Sequence, residues 1–223
     1  MIEANEIFSD SDKRIALWCE SASDTADLAV MADSIIQSHI DLISGVPEIV
    51  PFLWTCLEKA NVKIFARYVF DSVNKNLDDD VSDLVKKITD IYRRGANGVQ
   101  IFLNMRNFGR FIDMLAVVKE DLFFGHDLCI ALDIGDIGVD DWDMIFNKLN
   151  NVSAVAFGIS LGEDMGMRSD YIGRIYGMLE KWNFNGDLHF MLKNNFDRID
   201  QSIRLVEKMK PELSDRLRFF LEY

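Results

Sequence analysis

The sequence predicts an α/β protein: a TIM-like (β/α)8 barrel of eight parallel strands and seven helices, the eighth helix absent. Three observations carry that expectation. Short apolar runs alternate with stretches of helical period from one end of the chain to the other, the pattern of βαβ units around a parallel sheet. The 223 residues hold 3 Pro and 13 Gly, with no Pro-rich or Ser/Gly-rich run to act as an interdomain linker. The turn after the first strand, WCESAS (18–23), has no glycine, whereas an open Rossmann-type sheet carries a G-x-G-x-x-G turn there.

An N-terminal extension (1–14) precedes the single barrel domain (15–223). The first strand is IALWCE (15–20), followed by a helix with Leu28, Met31 and Ile35 on one face. IDLISG (40–45) is the second strand. Pro47 opens the next helix, whose apolar face is Val50, Leu53, Trp54 and Leu57, and Pro51 is close enough to that start to be tolerated. KIFARYVF (63–70) is the third strand. The helix after it has the clearest periodicity, with Leu84, Ile88 and Ile91 on its apolar face. Asp78, Asp79 and Asp80 begin it, and Arg93 and Arg94 end it before Gly95, in keeping with the helix dipole and with glycine as the stop.

GVQIFLN (98–104) is the fourth strand, and Phe108, Phe111 and Leu115 mark its helix. LCIALDIG (128–135) is the fifth, with Trp142, Ile145, Phe146 and Leu149 on the helix that follows. AVAFGIS (154–160) is the sixth, followed by Ile172, Ile175 and Leu179. LHFMLKN (188–194) is the seventh, followed by Ile199, Ile203 and Val206. LRFFLEY (217–223) closes the barrel.

Composition narrows the function. The formal net charge is -13, a field that repels nucleic-acid backbones and anionic lipid, so neither is an expected partner. Cys19, Cys56 and Cys129 are too far apart for a zinc ribbon or redox pair, and their odd number argues against a disulfide framework. The acidic start MIEANEIFSDSDKR is no targeting peptide, and no apolar run reaches the roughly 20 residues of a membrane span. A cytoplasmic location is the expectation.

Strand side chains alternate between the helix layer and the barrel axis. The wholly apolar rows belong against the helices, which leaves the mixed rows inside. The inward rows are then Ala16, Trp18 and Glu20; Phe65 and Arg67; Gln100, Phe102 and Asn104; Cys129, Ala131 and Asp133; Ala156, Gly158 and Ser160; His189, Met191 and Lys193; and Arg218, Phe220 and Glu222. The second strand is too short to assign. Barrel interiors are ordinarily aliphatic, and buried charges must be paired. Charged residues gathered at C-terminal strand ends therefore read as an active-site mouth or as an internal ion-pair network. Lys193, Asp133 and Glu20 are the candidate catalytic groups, and Arg67, Asn104, Ser160 and Glu222 the candidate substrate-binding groups. No cofactor is expected. A carboxylate site for Mg2+ or Mn2+ from Glu20, Asp133 and Asp136 is the alternative, since three scattered histidines do not suit zinc.

The segment VKIFARYVFDSVNKNLDDDVSDLVKKITDIYRRGANGVQIFLN resembles the middle of the deoxyribose-phosphate aldolase type of barrel. In both, a strand leads to an acidic helix and then a G-A-x-x-V-type turn into the next strand. The likeness covers about a fifth of the chain. The family's Schiff-base lysine lies on strand six in a K-T-S-T-G-F-like motif. Strand six here reads AFGISLGED and has no lysine, while Lys193 on strand seven matches the family's accessory lysine.

Independently of that likeness, desolvation beside cationic Arg67 would favour the neutral amine that a nucleophilic lysine needs. The expected function is an aldolase-like lyase or isomerase acting on a small carbonyl compound. A phosphosugar is disfavoured, because strand seven is followed by NNFDR without glycine and Glu163 and Asp164 oppose an anion in the loop after strand six. The alternative is a non-catalytic barrel serving as scaffold, binding or regulatory subunit. Without an eighth helix, Leu217, Phe219, Leu221, Ile15 and Leu17 would form an apolar patch, for which a homo-oligomer or protein partner is the expected cover.

Overall fold

The eight strands pair in parallel and in chain order, and the eighth closes on the first, Ile15 opposite Phe219 and Leu17 opposite Leu221. This is a computed structural model of the protein, and it describes residues 14–19, 25–71, 77–118, 122, 125–152, 154–160, 170–192 and 195–222. The strands are β1 (Ile15–Cys19), β2 (Leu42–Gly45), β3 (Lys63–Val69), β4 (Gly98–Leu103), β5 (Asp127–Asp133), β6 (Ala156–Ser160), β7 (Asp187–Met191) and β8 (Leu217–Glu222). Between them run α1 (Thr25–Gln37), α2 (Val50–Leu57), α3 (Leu77–Arg93), α4 (Met105–Val117), α5 (Trp142–Leu149), α6 (Tyr171–Lys181) and α7 (Phe196–Met209). Short 3-10 turns follow β5 and α7, the latter at Pro211–Arg216.

Local chemistry explains most boundaries. Pro51 occupies the first turn of α2, where its missing N–H costs nothing. Gly95 stops α3 with a φ of +103°, a conformation that L side chains rarely adopt. At that point the backbone lies so close to Trp54 that a Cβ would sit 2.5 Å from the indole.

The outward rows of the strands join the helices in one large core, including Ile64, Ile101, Ile130, Phe157 and Phe190. The inward rows form a second, smaller cluster along the axis: Ala16, Trp18, Leu42, Phe65, Cys129, Ala131, Ala156, Met191 and Phe220, with Phe102 packed on it. The expected facing is met for these residues, and Leu42 and the fully buried Ser44 supply the row that β2 left open. Gly158 stands on this axis with no room for a side chain. A Cβ there would lie 2.6 Å from the Met191 methyl and 2.8 Å from the Ala131 Cβ.

The expected apolar patch on β8 and β1 does not form. Leu217 and Phe219 are 0% exposed and Leu221 6%, within the single chain, while Ile15 and Leu17 are partly buried. They share the main core with Val206 of α7 and Leu213 of the 3-10 turn before β8, and Phe219 stacks on Phe190 at 5.1 Å. The turn packs against α7 and β7 and places Leu213 in this core.

Candidate functional site

At the C-terminal mouth the axis is floored by aromatic rings. Trp18 and Phe102 lie 5.8 Å apart between ring centres, and the Arg67 guanidinium sits over the indole at 4.7 Å. A cation held on an indole face is favoured electrostatically and most strongly where water is thin. Trp18 is 7% exposed, and its Nε1–H is buried with no acceptor among the described residues. Glu222 lies beside Trp18 in the β1–β8 ladder, and Ser160 beside Asp133 in the β5–β6 ladder. Arg67, Asp133, Ser160 and Glu222 are all half-buried at this end.

Two of the expected site residues have local structural duties. Asn104 is exposed and caps α4, its side-chain oxygen accepting from the Asn107 N–H at 2.9 Å. Asp133 ends β5 and accepts from the Gly135 N–H at 2.7 Å, capping the 3-10 turn that follows. Both uses follow from short polar side chains at strand-to-helix junctions, where they satisfy backbone N–H groups that a helix start leaves unpaired. Glu20 and Lys193 lie outside the described residues. Among the described residues, no three His, Cys, Asp or Glu come together as a metal site.

Arg174 of α6 fixes the turn after β5 from outside. Its Nη1 donates to the carbonyls of Ile134 (3.1 Å) and Ile137 (2.9 Å), and its Nε to Asp170.

A polar relay crosses the aromatic axis below the mouth. The Ser44 hydroxyl donates to Gln100 Oε1 at 2.5 Å, which turns the Gln100 amide nitrogen toward His189 Nδ1 at 3.5 Å. With Nδ1 as acceptor, the imidazole carries its proton on Nε2. His189 is 2% exposed, and burial, aided by cationic Arg218, pushes its pKa down to about 3. It is therefore a neutral histidine. The neighbouring Cys129 thiol is raised by burial and by Asp187, and stays protonated.

The N-terminal end of the barrel is more charged than the sequence reading anticipated. A cavity of about 200 Å³ opens there, and Asp41, Lys63, Asp127, Asp187, His189 and Arg218 line it. Lys63 pairs with Asp127 at 2.6 Å, while Arg218 reaches Asp41 only at 3.9 Å. Burial raises the Asp187 pKa, against the pull of Arg218, Arg216 and Lys63. A signal for this ring existed in the sequence: Asp-Leu opens the segments of β2, β5 and β7, at 41–42, 127–128 and 187–188.

No protein-family profile matches the chain, and no curated protein matches it in sequence. Solved structures do share its fold. The tetrameric deoxyribose-phosphate aldolase from Aeropyrum pernix superposes with a TM-score of 0.66 at 10% identity, over 100% of this chain and 91% of that one. QR15, an aldolase, gives 0.67 at 12% identity over 95% and 92%. The N-acetylmannosamine-6-phosphate 2-epimerase from Clostridium perfringens gives 0.56 at 8% identity over 93% and 86%. These likenesses establish the fold: a closed (β/α)8 barrel with a weak, generic resemblance to aldolases of the deoxyribose-phosphate type.

Proposed function

We propose that this barrel is an aldolase-like lyase or isomerase acting on a small carbonyl compound at its C-terminal mouth. The observation that carries the reading is the Arg67 guanidinium held over Trp18, whose buried Nε1–H lacks an acceptor among the described residues. An aromatic floor with a fixed cation and a spare donor suits a carbonyl oxygen on which negative charge develops. Catalytic groups of barrel enzymes come from this face, and the resemblance to aldolase and epimerase barrels points the same way.

In this reading Lys193, two positions beyond inward-facing Met191, supplies the amine. Its nitrogen adds to the carbonyl carbon, and loss of water leaves an imine whose positive charge draws electrons from the neighbouring carbon–carbon or carbon–hydrogen bond. Glu20 or Asp133 moves the proton, and Ser160 and Glu222 hold substrate hydroxyls. Asp133 keeps one carboxylate oxygen on the Gly135 N–H.

The test is borohydride trapping with a panel of small aldehydes and keto acids. The wild-type protein is expected to gain the mass of a reduced adduct on Lys193, and Lys193→Ala to lose it. Equal labelling of the two proteins would end the Schiff-base reading.

A further inference from the structure

The N-terminal cavity has a chemistry that the mouth does not use. Three of its lining groups are left with unmet polar atoms. Asp41 Oδ1 is buried without a hydrogen bond, and the half-buried Asp187 carboxylate, raised in pKa by burial, has no side-chain hydrogen bond among the described residues. His189 is buried to 2% exposure, and its Nε2 has no partner among the described residues. The relay from Ser44 through Gln100 fixes Nδ1 as the acceptor, so this third group is a donor. Of these atoms, Asp41 Oδ1 is fully buried, and leaving a buried polar atom unpaired is costly.

Charge selects the occupant. Asp41, Asp127 and Asp187 face Lys63 and Arg218, and His189 is neutral, so the lining is one negative charge in excess. Lys63 is committed to Asp127, and Arg218 leans toward Asp41 while donating to the Leu217 carbonyl. Asp187 is left as a half-buried carboxylate that feels Arg218, Arg216 and Lys63 but forms no ion pair with them within 4 Å. The three carboxylates do not converge as metal ligands among the described residues, which points to an organic cation. Leu42, Phe65, Val155 and Ala156 supply apolar walls. At about 200 Å³ the space falls below the roughly 300–1,000 Å³ of drug-sized sites, and suits a small metabolite.

We propose that the N-terminal face holds a binding site for a small primary amine, whose ammonium group pairs with Asp187 and Asp41 and whose acceptor atom meets His189 Nε2–H. Neutral His189 is the suitable neighbour, because it donates a hydrogen bond without adding a competing positive charge. This site is independent of the chemistry proposed for the mouth.

Isothermal titration calorimetry on the full chain tests it, with ethanolamine as probe and propanol and propionate as size-matched neutral and anionic controls. Saturable binding of ethanolamine is expected, at least tenfold tighter than either control and weakened at least tenfold by Asp187→Asn. Asp41→Asn, at a side chain 43% exposed, gives a second arm should the first variant fail to fold. The proposal is overturned if ethanolamine binds no better than propanol, which would make the cavity a water pocket only. Unchanged affinity in a folded Asp187→Asn protein, or in Asp41→Asn should Asp187→Asn fail to fold, also overturns it. Lys193→Ala is expected to bind ethanolamine as the wild type does, so failure of the mouth chemistry and failure of this site are told apart.

Discussion

Replacing His189 with glutamine should flatten the acid side of the stability profile. In the folded protein the imidazole is buried, hydrogen-bonded at Nδ1 and neutral, with its pKa pushed from the usual 6.5 to about 3. An unfolded chain takes up a proton at this residue below pH 6.5, while the folded one does not. Between pH 6.5 and 3 the unfolded state therefore binds more protons, so stability falls as pH falls. From pH 7 to pH 5 this single group removes about 2 kcal/mol, since each pH unit below the unfolded pKa is worth about 1.4 kcal/mol. Urea denaturation of wild type and His189→Gln at the two pH values measures it, because the other titrating groups cancel in the difference. The wild type should lose about 2 kcal/mol more than the variant. Equal losses would mean that His189 is protonated in the folded barrel, and would undo the tautomer and the relay together.

Three further substitutions probe the frame. Arg110 holds the Asp80 carboxylate, which is 5% exposed, so Arg110→Ala should cost about 3 kcal/mol in urea melts and Arg110→Ala with Asp80→Ala should recover part of it. Gly158→Ala drives a methyl into Ala131 and Met191 and should cost about 1–3 kcal/mol, with Met191→Leu giving some back, as read by thermal melting. Arg174→Ala removes the donor to the Ile134 and Ile137 carbonyls, and hydrogen exchange at the Ile137 amide should speed up about tenfold, matching a loss of about 1.4 kcal/mol locally.

The barrel was legible because its signals are repetitive. Eight apolar runs with helical stretches between them fix order and direction, and the two-residue period of a strand separates Ile130 and Leu132 from Cys129 and Ala131 without further information. Strand ends were harder. The Asn104 and Asp133 side chains serve the turns that follow them, a local use that competes with catalysis for the same residue types at the same junctions. The contribution of Pro211–Arg216 to the core was not legible, because the segment is too short and polar to show helical periodicity, yet it places Leu213 there. The cavity ring was invisible for a related reason. Asp41, Lys63, Asp127 and Asp187 come from four strand starts, and only closure of the sheet brings them together.

The aromatic and aliphatic filling between the two ends has a transport consequence. Trp18, Phe65, Phe102, Met191 and Phe220 leave the barrel stoppered rather than hollow. A solute admitted at the N-terminal cavity meets this apolar plug among the described residues and departs by the face it entered. The N-terminal cavity is thus walled off from the C-terminal mouth by the described residues between them.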